Sequence, residues 1–154
     1  MSNSFQRKGA TSNTHVGRQL EKQAKAFFEK MGIPLDFGVS MEIGINGKKK
    51  PHKFDLGNDQ VLVECKSHTW TEGGNVPSAK MTTWDQAMFL FHAAPKGFRK
   101  IFFVLRDLNA KRKKTLAQYY IETNPHLIPN DVEIWEYDET AETAERIKPA
   151  GSAL

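Results

Sequence analysis

The first regular pattern along the chain is that of an amphipathic helix. Its apolar positions recur at the three- and four-residue spacing of a single helix face and comprise Val16, Leu20, Ala24, Phe27 and Phe28. Gly32 follows as a stop signal, so the pattern predicts a helix over residues 14–31. Residues 1–13 are polar and lack this periodicity, and we expect them to form a disordered lead.

The next stretch changes to the period of two that is typical of strands. Apolar side chains occupy every second position of residues 39–45, and the dipeptide Asn46-Gly47 is a strong signal for a tight hairpin turn. A second turn signal follows at residues 57–59. The pattern predicts a three-stranded antiparallel meander within residues 37–67. Its strands are expected at residues 39–45, 52–56 and 60–67.

Helices and strands alternate in the rest of the chain. A segment with two glycines and a proline, residues 69–78, is expected to be a mobile loop. The elements predicted after it are a helix at residues 79–93, a buried strand at 100–105, a basic helix at 111–122 and an edge strand at 131–137. The acidic residues 138–154 are expected to form a short helix or a disordered tail. The order α-β-β-β-α-β-α-β predicts an α/β fold, a mixed sheet flanked by helices, in a single domain over residues 14–137.

Composition places this domain in a narrow set of classes. The chain has 154 residues, of which 39% are hydrophobic and 26% charged, as in soluble globular proteins. We find neither a signal sequence nor an apolar run of membrane-spanning length, so no membrane partner is expected. Cys65 is the single cysteine, which excludes an internal disulfide and a zinc site of several thiolates. A reducing, cytoplasmic setting is therefore expected.

Charge is distributed unevenly between the body of the chain and its end. Residues 1–130 carry 20 basic and 11 acidic residues, whereas residues 131–154 carry 2 and 7, and the net charge is +4. A basic body fits a polyanionic partner such as DNA. It fits equally well a solvated surface with an acidic tail that aids solubility, and charge alone does not separate the two.

The chemistry-bearing residues lie at the ends of the second and third predicted strands. Glu64 and Lys66 share one face of the third strand, and the turn at residues 57–59 brings Asp55 close to Glu64. Two adjacent carboxylates repel unless a cation lies between them, and Mg²⁺ prefers such oxygen ligands, including the backbone carbonyl of Cys65. Lys66 would then orient the attacking water and offset negative charge on phosphorus. The alternative is a solvated pair of Glu64 and Lys66.

These residues resemble the PD-(D/E)XK nuclease superfamily. The resemblance covers residues 15–137 and implies a restriction-endonuclease-like mixed sheet and Mg²⁺-dependent hydrolysis of DNA to 5′-phosphate and 3′-hydroxyl ends. It assigns metal binding to Asp55 and Glu64 and catalysis to Lys66. Many members add a glutamate from the first helix and some a glutamine from the next; the matching residues are Glu21 and Gln86. Mn²⁺ is expected to substitute for Mg²⁺, and no nucleotide cofactor is expected.

Three positions weaken or complicate the match. Phe54 stands where the superfamily signature has proline, although that position is often replaced. Glu21 has an alternative partner in Lys25 one helical turn later, and most helical glutamines such as Gln86 are solvated.

Basic and aromatic residues around the motif are candidates for DNA contacts, although charge runs are more often simply solvated. They are Lys48, Lys49, Lys50, Lys53, Ser67, His68, Trp70, Lys111, Arg112, Lys113 and Lys114. Trp84 lies on an apolar helix stripe and is expected in the core.

The sequence therefore predicts a Mg²⁺-dependent DNA endonuclease, either specific for junctions and branched DNA or of the restriction type, acting as a homodimer. Two alternatives stay open: a non-catalytic DNA-binding protein of the same fold, and a nuclease subunit of a larger repair or transposition complex. Serine, cysteine and zinc chemistry are disfavoured, because there is no Gly-x-Ser-x-Gly motif, Cys65 is expected to face the core, and the five histidines are scattered.

Overall fold

The structure, a computed structural model, describes residues 13–151. Within that range the helices are α1 (Asn13–Lys30), α2 (Ser78–Ala93) and α3 (Leu116–Thr123), with a short 3-10 turn at Pro125–Leu127. The strands are β1 (Asp36–Ile43), β2 (Lys50–Gly57), β3 (Val61–Lys66), β4 (Arg99–Leu105), β5 (Leu108–Asn109), β6 (Lys114–Thr115), β7 (Val132–Asp138) and β8 (Thr143–Lys148). The predicted disordered lead falls almost entirely outside the described residues.

Six strands form one mixed sheet in the order β1-β2-β3-β4-β7-β8, and β5 pairs with β6 in a separate small hairpin. The pairs β1–β2, β2–β3 and β7–β8 are antiparallel, whereas β3–β4 and β4–β7 are parallel. The predicted α/β class, with a mixed sheet flanked by helices, is confirmed. No helix among residues 13–151 is both long and apolar enough to span a membrane.

Helix α1 covers one face of the sheet with the apolar stripe that its sequence predicts. Leu20, Ala24 and Phe28 are buried in one cluster with side chains from the central strands. The Phe28 ring meets the rings of Phe103 and Trp135 edge-on, with centroids 5.5 and 5.3 Å apart. This packing fixes α1 across the sheet and so determines where its polar residues stand relative to β3.

Helices α2 and α3 cover the opposite face. Trp84 is fully buried at the centre of this second cluster, as predicted, and its ring packs edge-on against Phe102 and Tyr120. The Tyr120 hydroxyl donates a hydrogen bond to Asp85 Oδ1 over 2.8 Å, so the two helices are also joined by a polar contact. The sheet is thus buried on both faces, which explains the continuous apolar run in β4.

The third helix begins five residues later than predicted. Thr115 caps α3, accepting a hydrogen bond from the Gln118 amide while the Gln118 side chain accepts from the Thr115 amide. This capping box is readable in the sequence as Thr-x-x-Gln, but the basic run ahead of it masks the signal. Residues 111–113 instead connect β5 to β6, with Lys113 at a positive φ of 58°.

The end of the chain also differs from its prediction. Residues 143–148 form strand β8, neither a helix nor a disordered tail, and β7 is therefore an interior strand rather than an edge. Strand β8 carries charged side chains that pair with its neighbour: Arg146 lies 3.5 Å from Glu133, and Lys148 Nζ donates to the Val132 carbonyl over 2.6 Å. Such a charged edge strand lacks the hydrophobic alternation on which a sequence prediction depends.

Candidate active site

The site is built where strands β2 and β3 separate. Only Leu56 and Gly57 of β2 pair with β3, opposite Val63 and Leu62. Continued by one residue, the same register would place Asp55 opposite Glu64, but the backbone ladder ends before that pair. Each of these carboxylates therefore lies beside backbone amides that no longer have a strand partner.

Asp55 and Glu64 bridge the gap by reciprocal side-chain hydrogen bonds. The Asp55 amide donates to Glu64 Oε1 over 3.2 Å, and the Cys65 amide donates to Asp55 Oδ2 over 2.8 Å. The two side chains thus replace the missing ladder bonds and hold each other in place. Each carboxylate uses one oxygen in these bonds, so the pair is positioned with further acceptor capacity.

An irregularity in β2 gives the site its shape. Phe54 is buried in the cluster under α2, whereas Leu56 is buried in the cluster under α1, although residues two apart on a regular strand share a face. The change of face falls at Asp55, and Gly38, which the β1–β2 register would place opposite Asp55, has a positive φ of 61°. Asp55 consequently points between the strands, towards the Cys65 amide, rather than squarely onto either face.

The same irregularity brings His52 into the site. His52 Nε2 lies 3.2 Å from Glu64 Oε1, and its ring packs edge-on against Phe54 with centroids 4.6 Å apart. On a regular ladder His52 would fall on the opposite face from Glu64, since its partner on β3 would be three residues beyond Glu64. The sequence pattern alone therefore leaves His52 out of the catalytic set, because no residue type in the sequence signals the break in β2.

Burial makes the two carboxylates unfavourable as a pair of charges. Glu64 is only 5% exposed, so the alternative of a solvated Glu64–Lys66 pair is wrong for Glu64. Burial first, and then the charge of Asp55, raise the pKa of Glu64 to about 8. Burial also raises the pKa of Asp55, against the lowering effects of its hydrogen bond from Cys65 and the charge of Lys66. A cation at this pair would relieve the penalty that raises both pKa values.

Glu21 approaches the pair from α1. Burial and the charge of Asp55 raise the pKa of Glu21, and the charge of Glu21 in turn contributes to raising the pKa of Glu64. The alternative partner of Glu21, Lys25, forms its ion pair with Glu29. The structure therefore brings Glu21, which stands on the side of the sheet that α1 covers, within electrostatic range of both strand carboxylates.

Lys66 and Cys65 complete the surroundings of the carboxylates. Burial is the largest influence on the pKa values of Asp55, Glu64 and His52, and the charge of Lys66 acts on all three in the lowering direction, which places Lys66 within electrostatic range of this group. Burial, together with the charges of Asp55, Glu21 and Glu64, raises the pKa of the Cys65 thiol well above its usual range. A thiolate nucleophile at Cys65 is therefore disfavoured, whereas its backbone amide has a defined role in holding Asp55.

The donor set fits a hard divalent cation by its chemistry. Among residues 13–151, no group of three or more histidine, cysteine, aspartate or glutamate side chains is gathered tightly enough to hold a metal ion. Mg²⁺, however, commonly takes one or two carboxylates and keeps several waters. The buried Glu64 and the half-buried Asp55, both with raised pKa values and both held by amide hydrogen bonds, fit that requirement.

Gln86 and the lysines of the first hairpin lie outside the group formed by Asp55, Glu64, Glu21 and Lys66. Gln86 is exposed on α2, and the described contacts do not join it to the carboxylates. Four exposed lysines belong to the first hairpin: Lys50 and Lys53 lie on β2, the strand that carries Asp55, and Lys48 and Lys49 lie in the turn before it.

Trp70 and His68 are tied into the protein. Trp70 is 7% exposed, its backbone amide donates to Asp107 Oδ2, and its indole Nε1 donates to the Asp107 carbonyl. Base stacking on Trp70 is inconsistent with this burial. His68 Nδ1 accepts a hydrogen bond from Trp84 Nε1 over 2.9 Å. The predicted loop between β3 and α2 is thus present, begins at Ser67, and is joined by these contacts to α2 and to the segment that follows β4.

Of the second basic run, Arg112 and Lys114 have intramolecular partners. Arg112 stands over the rings of Trp70 and Tyr119, at 5.0 and 5.9 Å from their centroids, and Nε donates to the Gly74 carbonyl. Lys114 pairs with Glu122 over 2.6 Å. Lys111 and Lys113 are exposed in the turn before β6.

We expect Arg112→Ala to lower the free energy of unfolding by about 1 kcal/mol, because it removes cation–π contacts at an exposed site and a hydrogen bond that ties down the Gly74 loop. Urea unfolding of this variant and of Lys111→Ala, an exposed neighbour, measures the difference. Unchanged stability of Arg112→Ala combined with weaker DNA binding would instead support the prediction from sequence that Arg112 binds DNA phosphates.

No protein-family model, no curated protein and no solved structure matches this chain. The interpretation of the site therefore depends on its own geometry and chemistry.

Proposed function

We propose that this protein is a metal-dependent DNA endonuclease with a restriction-endonuclease-like fold, whose centre is formed by Asp55, Glu64 and Lys66. The observation that carries the proposal is the reciprocal hydrogen bonding of a half-buried Asp55 and a buried Glu64 where β2 and β3 separate, with the charge of Lys66 acting on both. The nuclease superfamily that the motif resembles uses such an acid–acid–lysine group to bind metal and to catalyse phosphodiester hydrolysis. The mixed sheet and the resemblance of the motif support the same assignment.

In this proposal Asp55 and Glu64 hold Mg²⁺ or Mn²⁺, with the Cys65 carbonyl and Glu21 as further oxygen donors. The bound cation would supply Lewis-acid stabilisation of charge on the phosphate and lower the pKa of a coordinated water. The hydrogen bonds from the Asp55 and Cys65 amides orient the two carboxylates before substrate arrives.

Lys66 carries the part of the chemistry that belongs to the chain itself. Its ammonium donates hydrogen bonds to the attacking water and to a non-bridging phosphate oxygen, and so favours the crowded, negatively charged transition state. In-line attack would break the bond from phosphorus to the 3′ oxygen and leave a 5′-phosphate and a 3′-hydroxyl. These two DNA end groups are what the family resemblance implies, and a ligation assay on the cut DNA tests them.

The test is incubation of the purified chain with supercoiled plasmid and with four-way branched DNA, in Mg²⁺, Mn²⁺ or EDTA. We expect cutting only with metal, and expect DNA ligase to rejoin nicks without prior treatment, since ligase requires the proposed ends. Preference for branched DNA over plasmid would indicate junction specificity; the reverse would indicate a restriction-type enzyme. Sedimentation of the free protein tests the proposed homodimer.

Two other functions make different predictions in the same assays. A non-catalytic DNA-binding protein would bind DNA without cutting and would show no Mg²⁺ or Mn²⁺ binding by calorimetry. A nuclease subunit of a repair or transposition complex would bind metal yet cut only when a partner is added. The close pair of carboxylates, one buried and one half-buried, favours the enzyme, because a purely binding role does not account for the cost of holding two such charges together.

We expect His52→Ala to raise the Mg²⁺ concentration needed for half-maximal cleavage roughly 10- to 100-fold, the usual effect of losing a residue that orients a metal ligand. With Glu64 ionised, His52 Nε2 must carry a proton to hydrogen-bond Oε1. His52→Gln, whose amide also donates, should recover part of the loss. Ser40→Ala, an exposed change on the paired strand, serves as control.

An equal rise in the Mg²⁺ requirement for His52→Gln and His52→Ala would show that the packing of the ring on Phe54, not the hydrogen bond, is what matters. An unchanged requirement in both variants would remove His52 from the site.

A further inference from the structure

Strands β1 and β2 continue as a two-stranded arm beyond the point where β2 leaves β3. They remain paired with each other from Val39–Phe54 to Ile43–Lys50, whereas the pairing of β2 with β3 ends at Leu56. We call residues 39–54 the β1–β2 arm. The arm begins beside Asp55, so anything that lies along it is brought to the candidate active site.

One face of the arm packs on the protein and the other faces solvent. Val39, Met41 and Ile43 are half-buried against the cluster under α2, and Phe54 is fully buried there. The Gly44 amide donates to the Ala93 carbonyl over 3.1 Å, which fastens the far end of the arm to the end of α2. The arm is therefore held in a fixed direction.

The solvent-facing side and the tip are cationic. Residues 39–54 contain four lysines and one acidic residue, Glu42 on β1, which leaves the arm with a net charge of +3. All four are exposed, and none forms an ion pair within residues 13–151: Lys48, Lys49, Lys50 and Lys53. Lysines elsewhere, such as Lys25, Lys100 and Lys114, are paired with carboxylates. The arm therefore concentrates uncompensated positive charge next to a site that we propose acts on a phosphodiester.

We propose that the β1–β2 arm binds the phosphate backbone of double-stranded DNA on one side of the scissile phosphate, an inference that rests on the proposed nuclease function. From Lys50 to Asp55 an extended strand covers about 17 Å, at roughly 3.3 Å per residue. That length corresponds to about five base pairs at 3.4 Å each. Lysines on flexible stems bind phosphates as point charges and read no sequence, so the contact is independent of base sequence.

The test measures binding of the full chain to a fluorescent 30-base-pair duplex across a salt series, in EDTA so that cutting does not interfere. Each lysine that neutralises a phosphate contributes about 0.9 to the slope of log K against log salt. The quadruple variant Lys48→Gln, Lys49→Gln, Lys50→Gln, Lys53→Gln should lose about 3 to 4 from that slope. Lys22→Gln with Lys30→Gln, two exposed lysines of α1, the helix on the opposite face of the sheet from α2, should leave it nearly unchanged.

A second measurement tests the length of the contact. Cleavage of duplexes shortened on one side of the cut should fall once fewer than about five base pairs remain there, and the arm variant should be insensitive to that shortening. Far-ultraviolet circular dichroism and thermal unfolding verify that the variants are folded.

An equal slope in wild-type and quadruple variant would overturn the proposal, as would an equal loss in the control pair, which would indicate diffuse charge. Displacement of the duplex by poly-glutamate at the same charge concentration would also overturn it, in favour of an acidic protein partner. Salt-dependent binding through the arm without any metal-dependent cutting would support the proposed DNA contact of the arm and overturn the proposed nuclease function. Metal-dependent cutting, with the same salt slope in wild type and quadruple variant, would support the nuclease function and overturn the proposed DNA contact of the arm.

Discussion

Replacing Glu64 with Gln should reduce metal-dependent cleavage by about 10³-fold or more. Glu64 is the more deeply buried of the two strand carboxylates, and the substitution removes its charge while keeping its shape. Charge stabilisation by a bound cation is worth several kcal/mol, and each 1.36 kcal/mol is a factor of ten in rate. The measurement is the initial rate of plasmid nicking at saturating Mg²⁺, with DNA affinity determined separately.

Glu136→Gln is the matched control. Glu136 is 4% exposed on β7 and bonded to the Thr115 hydroxyl, so it is as buried as Glu64 but lies two strands away from Lys66. The same substitution there should leave the cleavage rate within a few-fold of wild type. Full cutting by Glu64→Gln, or equal losses in the two variants, would remove Glu64 from the proposed centre.

The parts of the candidate site that depend on local periodicity could be predicted from the sequence. The period of two in β3 separates Glu64 from Val63 and Cys65, and the helical spacing in α1 separates Glu21 from Leu20 and Ala24. Both separations hold in the structure because the apolar partners are buried in the cluster under α1 or pack against it. Periodicity thus located the candidate carboxylates without any knowledge of how the strands pair.

The features of the site that could not be predicted from the sequence depend on where the backbone pairing of β2 with β3 ends. The end of the β2–β3 ladder at Leu56, and the change of face at Asp55, are properties of two strands together, and they are what bring His52 to Glu64. No composition rule signals a ladder that ends early. The buried position of Trp70 has a similar origin, since it depends on Asp107 and Arg112, which come about forty residues later in the chain.

Charge patterns were the least reliable guide, because charged side chains serve structure and binding alike. The acidic end of the chain contains an edge strand, and Arg112 covers an indole ring. The arm lysines differ from these in being exposed and unpaired with any described carboxylate. Exposure combined with pairing, rather than charge alone, separates the binding candidates from the structural ones.

The raised pKa of Glu64 has a second consequence, for stability. Folding moves this pKa from 4.5 to about 8, so the folded chain binds the Glu64 proton more tightly than the unfolded chain does. The associated stability is present in full below the unfolded value and is lost as the pH rises towards the folded value. Asp55, whose pKa is also raised by burial, acts in the same direction.

We therefore expect the metal-free protein to lose roughly 3 to 5 kcal/mol of unfolding free energy between pH 5 and pH 9, at 1.36 kcal/mol for each unit of pKa shift. Glu64→Gln carries no proton to lose and should show a much shallower decline, so that the variant is the more stable protein at pH 9. Urea unfolding in EDTA at several pH values measures both curves.

Saturating Mg²⁺ should stabilise wild type more at pH 9 than at pH 5, since cation and proton compete for the same oxygens, and should leave the stability of Glu64→Gln little changed. Parallel pH curves for the two proteins would mean that Glu64 is not held as a buried, proton-binding carboxylate, and the case for a cation at this pair would fail with it.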